Sequence, residues 1–85
     1  MGLPHMTKYS ASTIIAEARG ITQDARNIFP DPFVWTETPV TGNAILIIEM
    51  DSENNITYGI EINSVLVAKT NSDWRAPQMV QAILQ

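Results

Sequence analysis

Few residues in this chain have the type and spacing that chemistry requires. Glu49 and Glu61 could face each other from neighbouring strands, as a carboxylate pair does in glycoside hydrolysis. Carboxylates at exposed strand ends need no such role, and that plainer reading is preferred. Asp51, Glu53, Asn54 and Asn55 make an oxygen-rich stretch resembling part of a calcium loop. The full D-x-[DN]-x-[DN]-G spacing is missing, so the stretch reads as a solvated hairpin turn. His5 is the single histidine and there is no cysteine. Serine–histidine and cysteine–histidine nucleophiles therefore lack a member, and zinc would have carboxylates alone. Gly20, Gly42 and Gly59 stand apart, which rules out a glycine-rich phosphate loop, and no G-x-S-x-G elbow occurs. The residues point away from an enzyme, and to no cofactor and no metal.

What remains is binding. Trp74-Arg75 joins two residue types that dominate interface hot spots. The competing reading packs Trp74 under a strand–helix corner and leaves Arg75 in solvent. Trp35 lies with Phe33 on a proline-flanked segment and invites the same pair of readings. Tyr58 alternates with isoleucines and belongs to the core, its hydroxyl reaching the rim.

The elements that must position these residues are organised around Asn43–Met50. Ala44 to Ile48 are five consecutive apolar residues, three of them β-branched, with turn-formers on either side. They read as a central strand apolar on both faces. Upstream, Ile14, Ala18, Ile21, Ala25 and Ile28 recur at helical spacing, widened by Ile15 and Phe29. Ser10 or Ser12 can cap this helix of roughly 16 residues, and Glu17 and Arg26 suit its dipole. Gly20 is the discordant residue, marking a kink or a close helix–sheet contact. Phe29-Pro30-Asp31-Pro32 ends the helix. Residues 33–37 follow as an edge strand or an extended arm, confined there by Pro30, Pro32 and Pro39.

Beyond the central strand, Asp51–Asn55 forms a turn and Ile56–Ile62 alternates as a half-buried strand. Asn63-Ser64 makes a two-residue hairpin loop into a strand over Val65–Thr70. Asn71-Ser72-Asp73 supplies caps for a short final helix with Pro77 in its first turn and Met79, Val80, Ile83 and Leu84 as its stripe. The expected fold is α+β: an N-terminal helix, a three- or four-stranded antiparallel meander, and a C-terminal helix, both helices on one sheet face. The other face would carry Thr57, Gly59 and Glu61 beside the aliphatic central strand. That face needs cover from the 33–35 arm, from a second copy of the chain, or from a partner.

Composition agrees with one small domain. The chain has 85 residues, 45% of them apolar, which is a folding composition. Residues 1–6 read as a vector-derived leader ahead of a domain over residues 7–85. No apolar run reaches the length of a membrane span, and no membrane partner is expected. The lack of cysteine fits a cytoplasmic setting. The formal charge of −4 gives solubility but no basic footprint for nucleic acid.

In its helix–three-strand–helix order the chain is similar to the double-stranded-RNA-binding domain. The family sets a lysine cluster at the start of its last helix, where this chain has Asn71-Ser72-Asp73-Trp74-Arg75. The resemblance implies a nucleic-acid-binding domain as the alternative function, without the basic cluster that grips phosphate. The favoured expectation is a non-catalytic interaction module (adaptor, inhibitor or mobile-element accessory protein). It would bind another protein or a second copy of itself through Trp74, Arg75, Trp35 and Phe33.

Overall fold

A computed structural model of the chain describes residues 10–85, so the leader assigned to residues 1–6 and the first residues of the domain lie outside it. Helix α1 runs Ala11–Ile28, followed by strands β1 Phe33–Thr41, β2 Ala44–Asp51, β3 Ile56–Ile62 and β4 Val65–Thr70, and helix α2 Ala76–Leu84. The four strands form one antiparallel sheet in the order β1-β2-β3-β4, a meander in which every connection is a short hairpin. Both helices pack on one face. Ala11, Ile14, Ile15 and Ala18 of α1 and Ala76 and Val80 of α2 share a core with Leu46, Ile48, Tyr58 and Ile60. Among the described residues no helix is long and apolar enough to cross a membrane.

The segment at 33–37 is no arm. It is the start of a nine-residue edge strand that contains Pro39 and pairs with β2 from Phe33↔Asp51 to Thr41↔Ala44. An edge strand has one unpaired side, where a missing N–H costs nothing. The hairpins follow their turn residues. Gly42 takes φ 53°, and Asn63 and Ser64 take φ 52° and 69°, two successive left-handed residues as a type I′ turn requires.

Helix α1 begins where Ser10 accepts the Thr13 N–H at 3.3 Å and ends where the Phe29 N–H reaches Ala25 O at 2.9 Å. Its buried stripe differs from the expected one. Ile21, Ile28 and Phe29 are exposed, while Thr22 is wholly buried. Sequence hydropathy follows the large side chains, whereas the helix turns the line Ala11–Ile15–Ala18–Thr22 to the sheet. Thr22 tolerates burial because its hydroxyl donates to Ala18 O at 2.9 Å and meets Thr36 Oγ1 at 2.5 Å. With its own proton on Ala18 O, Thr22 leaves Thr36 as donor, and the helix is pinned to β1.

Three smaller expectations are also corrected. Glu17 lies beyond the first turn of α1, out of reach of the free N–H groups, whereas Arg26 is in the last turn. Arg26 Nη2 donates to the carbonyls of Phe29 (3.0 Å) and Asp31, mooring the proline-rich linker to the helix. Asn71-Ser72-Asp73 gives α2 no side-chain cap: its N-cap is Arg75, and the Arg75 and Ala76 N–H groups bond to Ser72 O.

Gly20 marks no close approach, since a Cβ built there meets nothing within 4 Å, and α1 continues through it. Gly20→Ala is therefore expected to stabilise the protein by about 1 kcal/mol, the helix-propensity difference, which raises Tm by roughly 4–8 °C in a domain this size. Thermal unfolding by circular dichroism measures it.

Candidate functional site

Side chains of a strand alternate between faces, so a sheet covered by helices on one side turns half of its residues to the other. Here no layer of the described residues lies over that second face. Its residues are set by the register. Trp35 pairs with Glu49 and Glu49 with Thr57 in one row; Glu37, Ile47, Gly59 and Lys69 form the next; Pro39, Ile45, Glu61 and Leu66 form the third. Trp35 is 62% exposed and Leu66 51%, while Ile45 and Ile47 are half-buried by their neighbours. Phe33, also exposed, extends the β1 border opposite Asp51.

A shallow depression of about 160 Å³ lies on this face, lined among others by Ile47, Gly59, Leu66 and Lys69. Gly59 makes it possible. A Cβ at that position would sit 3.1 Å from Leu66 Cδ1, so the glycine is what lets Leu66 fold inward across the sheet. Leu66 turns to this face because β4 bulges: Ile60 pairs with Ala68 but Glu61 with Leu66, leaving Val67 as the extra residue.

The four residues expected to bind a partner fall into two places. Phe33 and Trp35 share the open face at the β1 edge. Trp74 and Arg75 lie beyond β4, at the opposite edge, in the turn before α2. Trp74 does not pack under the corner; it is 66% exposed, and the Arg75 guanidinium lies over its ring at 5.5 Å, a cation–π pair. The neighbouring Asp73 accepts the Tyr58 hydroxyl at 2.7 Å. Tyr58 itself is wholly buried, and burial, reinforced by that bond, pushes its pKa up to about 12.

The two oxygen-rich candidates have plain geometries. Glu49 and Glu61 both lie on the open face, with backbones about 13 Å apart along the sheet, against the roughly 5–10 Å between paired carboxyls in glycosidases. Asp51 is consumed by its own turn: Oδ1 accepts the N–H groups of Glu53 and Asn55 at 2.9 Å, and Oδ2 accepts Asn55 Nδ2 at 3.0 Å. These bonds, those from Asn55 foremost, hold its pKa below the usual 3.8. Among the described residues no group of three acidic or histidine side chains is placed to hold a metal ion.

No family model, curated protein or solved structure matches this chain. Any functional reading therefore rests on the open face itself. Sequence reasoning placed Thr57, Gly59 and Glu61 there correctly but overlooked Glu37 and Leu66. Glu37 was legible from alternation with Val34 once the strand was continued through Pro39. Leu66 was not, because a bulge reverses the parity of every residue beyond it.

Replacing Trp74 with Ala should change stability by no more than about 0.5 kcal/mol, as for other exposed positions, whereas Tyr58→Phe should cost about 1 kcal/mol by removing the bond to Asp73. Urea unfolding of both variants tests the assignment of one side chain to the surface and the other to the core. Asp51 adds a pH signature. Its folded-state pKa lies below the unfolded value, so its contribution is complete above pH 3.8 and disappears as pH falls through the lowered value. The stability difference between the native chain and Asp51→Asn should close over that acidic interval and stay constant above it.

Proposed function

We propose that the protein is a non-catalytic protein-interaction module whose docking surface is the open face of the sheet. The observation that carries this reading is the apolar open side of β2: Ile45 and Ile47 lie in mid-sheet with no layer of the described residues above them, bordered by exposed Trp35 and Leu66. Taking an exposed side chain of this kind to full burial contributes about 1.5–3 kcal/mol, and these half-buried and exposed ones still have part of that to gain, so the face gains from being covered. Trp35 supplies the large, rigid anchor that binding hot spots favour. An adaptor or an inhibitor of a larger assembly would work in this way, by shape and surface rather than by chemistry. A cytoplasmic setting suits such a module with no cysteine to oxidise.

The alternative of nucleic-acid binding gains no support from this geometry. The turn before α2 offers one guanidinium, stacked on Trp74, and Asp73 beside it is negative. Phosphate binding by several Lys or Arg has no counterpart there.

The test uses Trp35→Ala and Ile47→Ser, with Trp74→Ala as the remote comparison. Bait carrying either of the first two should melt within about 0.5–1 kcal/mol of the native chain yet lose the stoichiometric partner recovered from lysate, while Trp74→Ala retains it. Retention by both open-face variants, with loss on Trp74→Ala, would move the docking site to the β4–α2 corner.

A further inference from the structure

Resting on the reading of the open face as a docking surface, we infer that its occupant is an extended cationic protein segment whose sheet-facing side, formed by residues i, i+2 and i+4, alternates Lys or Arg with aliphatic or aromatic residues. The register of the sheet selects such a segment. Each apolar side chain in the middle of the face has a carboxylate as its direct cross-strand neighbour: Trp35 faces Glu49, Ile47 faces Glu37, and Ile45 faces Glu61. Directly opposed residues lie within about 5.5 Å, so every apolar contact a partner makes places its next side chain beside a carboxylate. Among the described residues, three carboxylates in the middle of this face, with Asp51 at its margin, stand against one ammonium, Lys69.

This pattern selects among occupants. An apolar partner would bury three carboxylates with nothing to meet them, a desolvation that a hydrophobic patch of this size does not offset. Nucleic acid and anionic lipid are repelled. A second copy stacked face to face would bring three further carboxylates and one further ammonium, placing like charges together. An extended segment presents side chains at a spacing of about 6.4–6.8 Å on one face, which matches the spacing of Trp35, Glu37 and Pro39 along β1, where apolar and acidic residues take turns. Lys or Arg two positions from an apolar residue, and so on the same side of the segment, then meets Glu37, Glu49 or Glu61 at the rim of each contact. Charge complementarity of this kind sets orientation and rejects wrong partners more than it adds affinity.

The probe is a ten-residue peptide in which lysine and valine take turns at the odd positions with threonine at every even one, so that one side alternates charge and apolar surface, compared with a twin carrying glutamate in place of each lysine. Titrated into the ¹⁵N-labelled full chain, the lysine peptide should shift the amides of residues 35–37, 45–49 and 59–61, and raising the salt should weaken it because rim charges are screened beyond about 8 Å at physiological ionic strength. The triple variant Glu37→Gln, Glu49→Gln, Glu61→Gln should bind it about tenfold more weakly, with Tm unchanged or raised by relief of like-charge neighbours. Equal binding of the glutamate twin, unchanged binding by the triple variant, shifts confined to other surfaces, or no shift at millimolar peptide would each overturn the inference. So would open-face shifts that grow with protein concentration alone, which would identify a second copy as the occupant. The native chain's salt dependence keeps the test decisive if the triple variant folds poorly. Capture of a lysate partner separates the two levels of the argument. If the triple variant retains the partner that Ile47→Ser loses, the cationic assignment fails and the docking face stands; if both retain it, both fail.

Discussion

A four-stranded sheet has two faces, and the helices of the described residues cover one of them. That shortage governs the rest of the structure. Two helices of 18 and 9 residues lie side by side over the sheet, where they seal Leu46, Ile48, Tyr58 and Ile60 completely. With 85 residues a single core is barely sufficient, so apolar residues on the uncovered side contribute little to folding. Their presence in β2 has a simple mechanical consequence: the middle of the sheet is half-buried by its own neighbours and still open to a further layer.

The helices are held in place by polar contacts as well as by packing. Thr22 and Thr36 join α1 to β1 beneath the helix, and Tyr58 reaches from the core to Asp73 in the approach to α2. Each bond satisfies a group that would otherwise be buried without a partner, so sliding a helix along the sheet would cost both the bond and the desolvation of its members. Apolar packing tolerates small shifts, whereas these bonds do not. The covered face is thereby fixed, and the open face inherits a fixed register.

Much of this was legible in the sequence. The type and order of the elements followed from the isoleucine run at 45–48, the alternation over 56–62 and the prolines at 30 and 32. The Asn63-Ser64 hairpin was readable from its length and residue types. The phase of α1 was not, because a threonine with two hydroxyl bonds can be buried where Ile21 is not, and hydropathy has no record of a bond made 14 residues away. The roles of Asn71-Ser72-Asp73 were obscured for the same reason: Asp73 has the form of a cap and serves Tyr58 instead. At the candidate site, the aromatic residues were visible as types, but their separation to opposite sheet edges depends on strand order. Glu37 and Leu66 depended on register, which a proline and a bulge conceal.

The edges of the sheet explain why docking is argued for its face. An open edge can take an added strand through main-chain hydrogen bonds, and both edges here are impaired for that purpose. β1 carries Pro39, which lacks a donor, and β4 is six residues long, bulged at Val67 and charged at Lys69. Such devices suppress indiscriminate pairing with other strands. The face is protected by a different means: its apolar side chains are interleaved with carboxylates, so a plain hydrophobic surface cannot cover them without burying unpaired charge. Edge and face are thus guarded by the same logic, in which apolar surface is displayed only alongside a feature that rejects most partners. On the face that feature is charge, and unlike a missing N–H it can be matched.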